Sequence, residues 1–444
     1  MKKLHENVMY YEYDYDYPVL VEGRGSYMYG PSGERYLDGS SGAISVSLAH
    51  GREDMAKVLY DQAKKMNFYH RDIATSPIIE KVSEHMHRLY GMDKFCVVCG
   101  GSEAVEIALK MARLHFVHRG MKTKHLIIGR WMSYHGYTSG ALTVGGNPAR
   151  RAEFEPDLYN DCKIAPPYCY RCPYGREECS CHVECAKALE NEILMRGPEN
   201  VAGFIFEPVS GTSLGAVYPK KEYFWKIREI CDRYDVLMIA DEVMAGSGRT
   251  GTFTAMEQFG VKPDIMTMAK SISGGYFPAG VAACTDKVAE PIIRFGTFSP
   301  GFTWTGNPMS AAIIDKTLTV IEEEHLLDNV KKQGKRLKDG LTALMDKHPV
   351  IGDVRGKGLM VGIEFVKDRK TKGTLDQALN FGSSFEEHCR DHGLLLMATA
   401  RLDRGVRGDG AIMGPNFQVS SSEIDELIGI VDKVLTEMEA EIRM

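Results

Sequence analysis

The chain has 444 residues, of which 44% are hydrophobic and 26% charged, and carries a formal net charge of −6. That length is more than one simple core supports and points to two lobes, while the mild acidity excludes the basic balance that nucleic acid or an anionic membrane would attract. Eleven cysteines in a chain able to bury a large core point to reduced thiols or a metal site rather than a disulfide framework. The stretch Met1 to Asn7 is not followed by an apolar signal core, and no run approaches membrane-spanning length, so a cytoplasmic protein is expected.

Residues 8 to 22 alternate tyrosine with acid, at Tyr11, Tyr13, Asp14, Tyr15, Asp16 and Tyr17, a pattern that fits an edge strand, an arm laid over another surface, or a solvated terminus. A turn follows at Gly30 to Gly39, and residues 52 to 90 hold two amphipathic helical patterns. The strand Phe95 to Cys99 runs through Gly100-Gly101-Ser102 into a long helix with Ala104, Ile107, Ala108, Met111, Ala112 and Phe116 on one face. Such a turn is either an ordinary strand-to-helix connection or a phosphate cradle, because glycine lets backbone approach a ligand and free amides at a helix start suit an anion. After the strand His125 to Ile128 comes Ser133-Tyr134-His135-Gly136, where Tyr134 offers a flat ring for stacking and His135 reads equally as a core histidine. Residues 145 to 185 are rich in Gly, Pro, Arg and Cys and form an irregular insertion.

The most informative stretch runs from Val236 to Lys270. The apolar run Val236 to Ala240 stops at Asp241-Glu242-Val243, and a second run, Ile265 to Ala269, stops on Lys270. Between them lie turn residues from Gly246 to Gly251 and one amphipathic segment, enough for a crossover between parallel strands. An acid and a lysine then share the carboxyl edge of one sheet, where open α/β sheets bind ligands. That pairing is the one a pyridoxal phosphate enzyme needs. Upstream, the buried strand Val201 to Phe206 also ends on a charge, at Glu207-Pro208. Beyond Lys270 come a turn at Gly274 to Pro278, a loop at Phe302 to Pro308 and a helix from Met309 to Glu324. From there we expect helices at 328–347, 375–392 and 422–441 and strands at 359–366, 394–398 and 411–414.

Glu207-Pro208-Val209, Asp241-Glu242-Val243, Gly248-Arg249-Thr250-Gly251 and Pro263-Asp264-Ile265 through Lys270, with Gly101-Ser102-Glu103-Ala104 and Tyr134-His135-Gly136 upstream, resemble the class III, or ω-amino acid, aminotransferases of the fold type I pyridoxal phosphate enzymes. The resemblance spans residues 20 to 435. It implies an α/β fold in which a large domain, residues 51–324 including the 145–185 insertion, carries a mostly parallel seven-stranded sheet flanked by helices. A smaller α+β domain, residues 325–444, would be joined by an N-terminal segment, 1–50, that also meets the dimer surface. It further implies that Lys270 holds pyridoxal 5'-phosphate as a Schiff base and shuttles a proton once substrate displaces it. Asp241 would pair with the pyridine nitrogen, since a nearby carboxylate favours the cationic ring. Tyr134 and Val243 would contact the two ring faces, Gly101 and Ser102 the phosphate, and Glu207 would order the site from behind. Thr303 would reach the phosphate of a neighbouring subunit in a homodimer, or dimer of dimers, with shared active sites.

Two positions depart from the 2-oxoglutarate-using pattern. Met244 stands where many of those members have Gln, and Thr212 stands where the ornithine and 4-aminobutyrate branch has a gating Glu. Both lean toward pyruvate as acceptor. Arg404 and Arg407, with Arg401 close by, are the expected partners of a substrate carboxylate, and Ile44 and Tyr69 the expected pocket walls. Cys169, Cys172, Cys179, Cys181 and Cys185 in the insertion are either thiols of a surface segment or ligands of zinc or an iron-sulfur cluster. The expected activity is transfer of an amino group from a primary amine or ω-amino acid to a 2-oxo acid by a ping-pong cycle. The alternatives are a racemase or epimerase on the same scaffold and a non-catalytic binding subunit.

Overall fold

The computed structural model describes residues 7–13, 15–159, 162–177 and 181–442, so Asp14 and Cys179 lie outside the described residues. A seven-stranded sheet runs in the order Lys94–Val98, Gly280–Cys284, Ile265–Ala269, Leu237–Asp241, Val201–Phe206, Leu126–Arg130 and Lys163–Ile164. Gly280–Cys284 is antiparallel to both of its neighbours, and the other pairings are parallel. Every strand except Gly280–Cys284 therefore delivers its carboxyl end to the same edge. This is the mostly parallel fold type I sheet that the resemblance implies.

These strands are continuous apolar runs because helices cover both faces of the sheet. Within Leu237–Asp241 the side chains alternate. Leu237 and Ile239 join a core with Ile107, Ala108 and Met111 of the helix Gly101–His118, while Met238 and Ala240 join Tyr223, Phe224 and Ile227 of the helix Lys221–Arg233. Each fully buried side chain of this size contributes about 1.5–3 kcal/mol, so the strand ends are rigidly placed. An Ile239→Asp exchange would bury an unpaired charge at the root of the site.

The connection from Asp241 to Ile265 contains the turn residues and the one amphipathic segment expected from its sequence. It is a series of turns and one short 3-10 helix, Ala255–Phe259. A capping box between Thr254 and Glu257 starts that helix, and Gly260 at φ 68° stops it. Glu242 holds the connection from inside, its carboxylate accepting Ala255 N and Met256 N at 2.9 Å each. Arg249, fully buried, donates to the carbonyls of Leu359 (3.1 Å), Gly414 (2.9 Å) and Pro415 (2.5 Å), and so ties this stretch to the C-terminal part of the chain.

That part contains a four-stranded antiparallel sheet in the order Ile351–Gly356, Val361–Phe365, Arg407–Met413, Met397–Asp403. Val330, Leu337, Phe365, Phe385, Val431 and Leu435 form its core with the helices Leu326–Leu344, Phe381–Asp391 and Ser421–Ile442. The strand Ile351–Gly356 was not anticipated, because Gly352, Asp353, Arg355 and Gly356 break the alternation that marks a strand. The N-terminal strands Glu22–Arg24, Tyr27–Tyr29 and Arg35–Asp38 form a second small sheet, which Leu394–Leu395 joins in parallel. Ahead of it the tyrosines pack on one another, and Arg390 lies over the Tyr15 ring at 4.8 Å, so the segment is an arm laid on the helix Phe381–Asp391 rather than a strand.

The cysteine-bearing insertion is anchored by charge. Tyr168 and Arg171 both donate to the carboxylate of Glu364, which also accepts Arg355 Nη1 at 2.7 Å. Arg355 in turn donates to the carbonyls of Gly215 (2.8 Å) and Leu214 (2.7 Å). Among the described residues no three His, Cys, Asp or Glu side chains are grouped so as to hold a metal ion. No helix of the described residues is long and apolar enough to cross a membrane.

Candidate active site

The carboxyl edge of the large sheet opens into a cavity of about 470 Å³. Gly101, Ser102, Tyr134, Glu207, Asp241, Val243 and Lys270 all line it, joined by His135, Thr212, Met244 and Tyr276. Register explains the convergence: Asp241 lies opposite Thr267 in the neighbouring parallel strand, and Lys270 follows directly on that strand's end at Ala269.

Asp241 is held by three donors. Oδ1 accepts Val243 N at 3.0 Å and Thr267 Oγ1 at 3.1 Å, and Oδ2 accepts His135 Nδ1 at 2.7 Å. A carboxylate only accepts, so Nδ1 carries the proton. His135 is 2% exposed and its Nε2 has no hydrogen-bond partner among the described residues. Glu207 is also buried; Oε1 accepts Gly211 N at 3.0 Å, while Oε2 has no partner among the described residues. Burial pushes the Glu207 carboxyl above the ordinary range, against the pull of His135 and Arg130. Arg130 reinforces the same strand end by donating to the Glu207 carbonyl at 2.5 Å.

Lys270 begins a short 3-10 helix, Lys270–Ser273, with φ at 50°, a left-handed conformation that costs a non-glycine residue free energy. Its side chain faces the cavity but is surrounded by protein, and desolvation pushes the amine down to about 8. Asp241 and Glu207 oppose that shift, and Arg150 and Arg249 add to it. A lysine so placed is a nucleophile and proton carrier close to neutral pH.

At the opposite wall, Ser102 lies in the first turn of the helix Gly101–His118, where backbone amides lack intrahelical partners. Its Oγ accepts Tyr137 N at 3.1 Å, which leaves the hydroxyl hydrogen to donate into the cavity. The approach requires Gly136: a Cβ there would fall 2.4 Å from Ser102 Oγ, at a φ of 131° that other residues rarely adopt. Gly101 is similarly constrained, since its Cβ would meet Val243 Cγ1 at 3.1 Å. A flat ring surface, an oriented carboxylate, an amine and an anion cradle thus face one space.

Other expected residues are placed elsewhere. Ile44 is fully buried at φ 56° against Val209, Met360 and Ile412, and the cavity wall is formed by its neighbour Ser45 instead. Tyr69 lines a separate apolar pocket with Phe95 and Phe298. Thr303 is exposed in a groove with His70, Glu103 and Trp304, outside the cavity of its own chain. Arg404 is 91% exposed, and Arg407 is paired with Asp403 at 3.0 Å; neither lines the cavity. Both sit at the solvent end of the hairpin formed by Met397–Asp403 and Arg407–Met413, which the sequence pattern left undefined.

The family profile described as "Aminotransferase class-III" matches residues 10–435. The chain is 32% identical to the putrescine–pyruvate aminotransferase of Pseudomonas aeruginosa over 95% of this chain and 91% of that one. It is 34% identical to the taurine–pyruvate aminotransferase of Bilophila wadsworthia, over 95% and 92%. Among solved structures, the thermostable (S)-enantioselective ω-transaminase from Thermomicrobium roseum superimposes with a TM-score of 0.89 at 33% identity, covering 98% of this chain and 96% of that one. The chain belongs to the class III aminotransferase family. It is an enzyme of amino-group transfer between small-molecule amines and oxo acids, and its cofactor is pyridoxal phosphate. The donor set fits that cofactor: the cradle at Gly136 and Ser102 suits a phosphate, and the fixed Asp241 carboxylate suits a protonated ring nitrogen.

Proposed function

We propose that this enzyme moves an amino group from a primary amine or ω-amino acid to a 2-oxo acid by a ping-pong cycle, with pyruvate favoured over 2-oxoglutarate, and that it works as a homodimer. Bound pyridoxal phosphate supplies the electron sink for the chemistry. Asp241 holds a proton on the ring nitrogen, and His135 and Thr267 fix the carboxylate that does so. Lys270 Nζ, neutral from about pH 8 upward, takes a proton from the substrate carbon and returns it. Tyr134 and Val243 confine the ring, and Ser102 orients the phosphate.

The acceptor preference rests on one observation: Met244 and Thr212 both line the cavity, and among the described residues no arginine or lysine other than Lys270 does. A second carboxylate, as in 2-oxoglutarate, would enter without a charged partner, at a cost in desolvation. The named activities of the Pseudomonas and Bilophila relatives, both with pyruvate, support the same reading. Thr303, exposed outside its own cavity, is assigned to the partner subunit's phosphate site. The test is an amine-donor panel with pyruvate and 2-oxoglutarate competing, in which parallel double-reciprocal lines and faster turnover of pyruvate are expected. Preference for 2-oxoglutarate would refute the Met244 and Thr212 argument, and intersecting lines would refute the ping-pong cycle.

A further inference from the structure

No described residue of the 145–185 insertion lines the active-site cavity, yet the insertion helps to enclose a second one, of about 210 Å³. Met132 lines it from just beyond the strand Leu126–Arg130, Pro148 from a short helix, and Pro166 and Tyr168 from the cysteine-bearing segment. Leu214 lines it from the loop beside the active site, and Leu402 from the hairpin of the C-terminal sheet. The hairpin is seated closely there: a Cβ on Gly405 would fall 2.7 Å from Pro148 Cγ and 2.9 Å from Met132 Sδ.

Arg171 gives this cavity its polarity. Its side chain is 10% exposed. Nε donates to the Glu364 carboxylate and Nη1 to the Lys372 carbonyl at 2.7 Å, whereas Nη2 is buried and has no hydrogen-bond partner among the described residues. A buried N–H without an acceptor is costly, and a guanidinium N–H favours a carboxylate. Glu364 is already shared, since it also accepts Tyr168 and Arg355, and Asp353 pairs with Arg355 at 2.8 Å. Two carboxylates thus balance two guanidiniums behind the cavity, and Arg404, lining it but 91% exposed, adds a positive charge at the rim.

The rest of the lining is flat and apolar. The rings of Pro148, Pro166 and Pro173, with those of Trp131 and Tyr168, suit a planar hydrophobic body. We propose that this cavity is a second ligand site, which takes a small arylcarboxylate with its acid group on Arg171 and its ring among the prolines, and that an occupant adjusts the active site through Leu214. Thr212, two residues before Leu214, lines the active-site cavity. Ser213, between them, accepts Asn147 Nδ2 at 3.0 Å, and Asn147 directly precedes Pro148. Pressure on Leu214 or Pro148 therefore reaches the wall at Thr212.

The test uses the full-length enzyme loaded with pyridoxal phosphate and takes benzoate as the probe, with benzamide and acetate as controls. Titration calorimetry of wild type should show benzoate binding with a Kd of about 1 mM or tighter. Benzamide lacks the charge and acetate the ring, and each should bind roughly 10-fold more weakly. Ala165→Leu fills the cavity, and Arg171→Lys removes the free N–H while keeping a charge beside Glu364. Both should weaken benzoate at least about 10-fold, with kcat and KM in its absence within about twofold of wild type. Saturating benzoate should shift the KM for the oxo acid roughly fivefold in wild type and leave it unchanged in Ala165→Leu, which separates this site from competition at the active site. No benzoate uptake by wild type, or equal uptake by wild type and both variants, overturns the site. Benzamide bound as tightly as benzoate overturns the acid contact with Arg171. Binding without a shift in KM, or the same shift in Ala165→Leu, overturns the coupling through Leu214. The binding measurements need no turnover, so they stand apart from any failure of the aminotransferase reading.

Discussion

His135 Nδ1 donates to Asp241 Oδ2 at 2.7 Å with both residues almost completely buried, so the carboxylate facing the cofactor is oriented by a ring that has no other visible partner. Replacing His135 by Ala removes that donor and leaves a buried carboxylate oxygen unpaired, a loss of about 1–3 kcal/mol. Turnover should fall roughly 10- to 100-fold, with a displaced absorption band of the bound cofactor. His135→Ala with wild-type kcat and spectrum would show that Val243 N and Thr267 suffice to orient Asp241.

Lys270→Ala should abolish transamination, by at least about a thousandfold, because both the covalent anchor and the proton carrier are lost. The cofactor-free variant should melt no lower than the cofactor-free parent, since the substitution removes an amine that burial penalises. Circular dichroism and thermal melts check the second point; retained turnover would overturn the site assignment.

The depressed amine also predicts a pH profile. In cofactor-free enzyme Lys270 is protonated below about 8 and neutral above it. Since only the neutral amine attacks an aldehyde, the rate of pyridoxal phosphate capture should rise with pH through about 8 and then level off, as stopped-flow absorbance would show. Asp241 stabilises the ammonium form, so Asp241→Asn should move the midpoint lower. A midpoint near the ordinary lysine value in the parent would contradict the burial of this side chain.

Gly136→Ala offers a test of the phosphate cradle. The new Cβ would fall 2.4 Å from Ser102 Oγ at a φ of 131°, so the serine or the loop must shift. Overpacking of this kind costs about 1–3 kcal/mol, and cofactor affinity should weaken roughly 10-fold or more. Unaltered affinity by titration would mean that Ser102 does not hold the phosphate.

Asp241 and Lys270 were legible in the sequence because each terminates an apolar run, and a charge at such a boundary has few structural explanations. Gly101 and Ser102, at the junction of a strand and a helix, read equally as an ordinary turn, and only the family resemblance singled them out for a phosphate. His135 was not legible: its role depends on the strand order, which brings the loop after Leu126–Arg130 across the Val201–Phe206 strand to Asp241. Arg404 and Arg407 lie off the cavity of their own chain, a placement not legible beforehand because a surface hairpin and a binding loop look alike in one dimension.

The guanidinium of Arg355 hangs the loop at Leu214 and Gly215 from the C-terminal sheet, just beyond Thr212 on the cavity wall. Its other contacts, Asp353 and Glu364, are in that sheet and do not line the cavity. The cavity wall at Thr212 is thus tied to a sheet whose strands do not line the cavity. A substitution at Asp353 or Glu364 would therefore act on the position of Thr212 while leaving every residue on the cavity wall as it is.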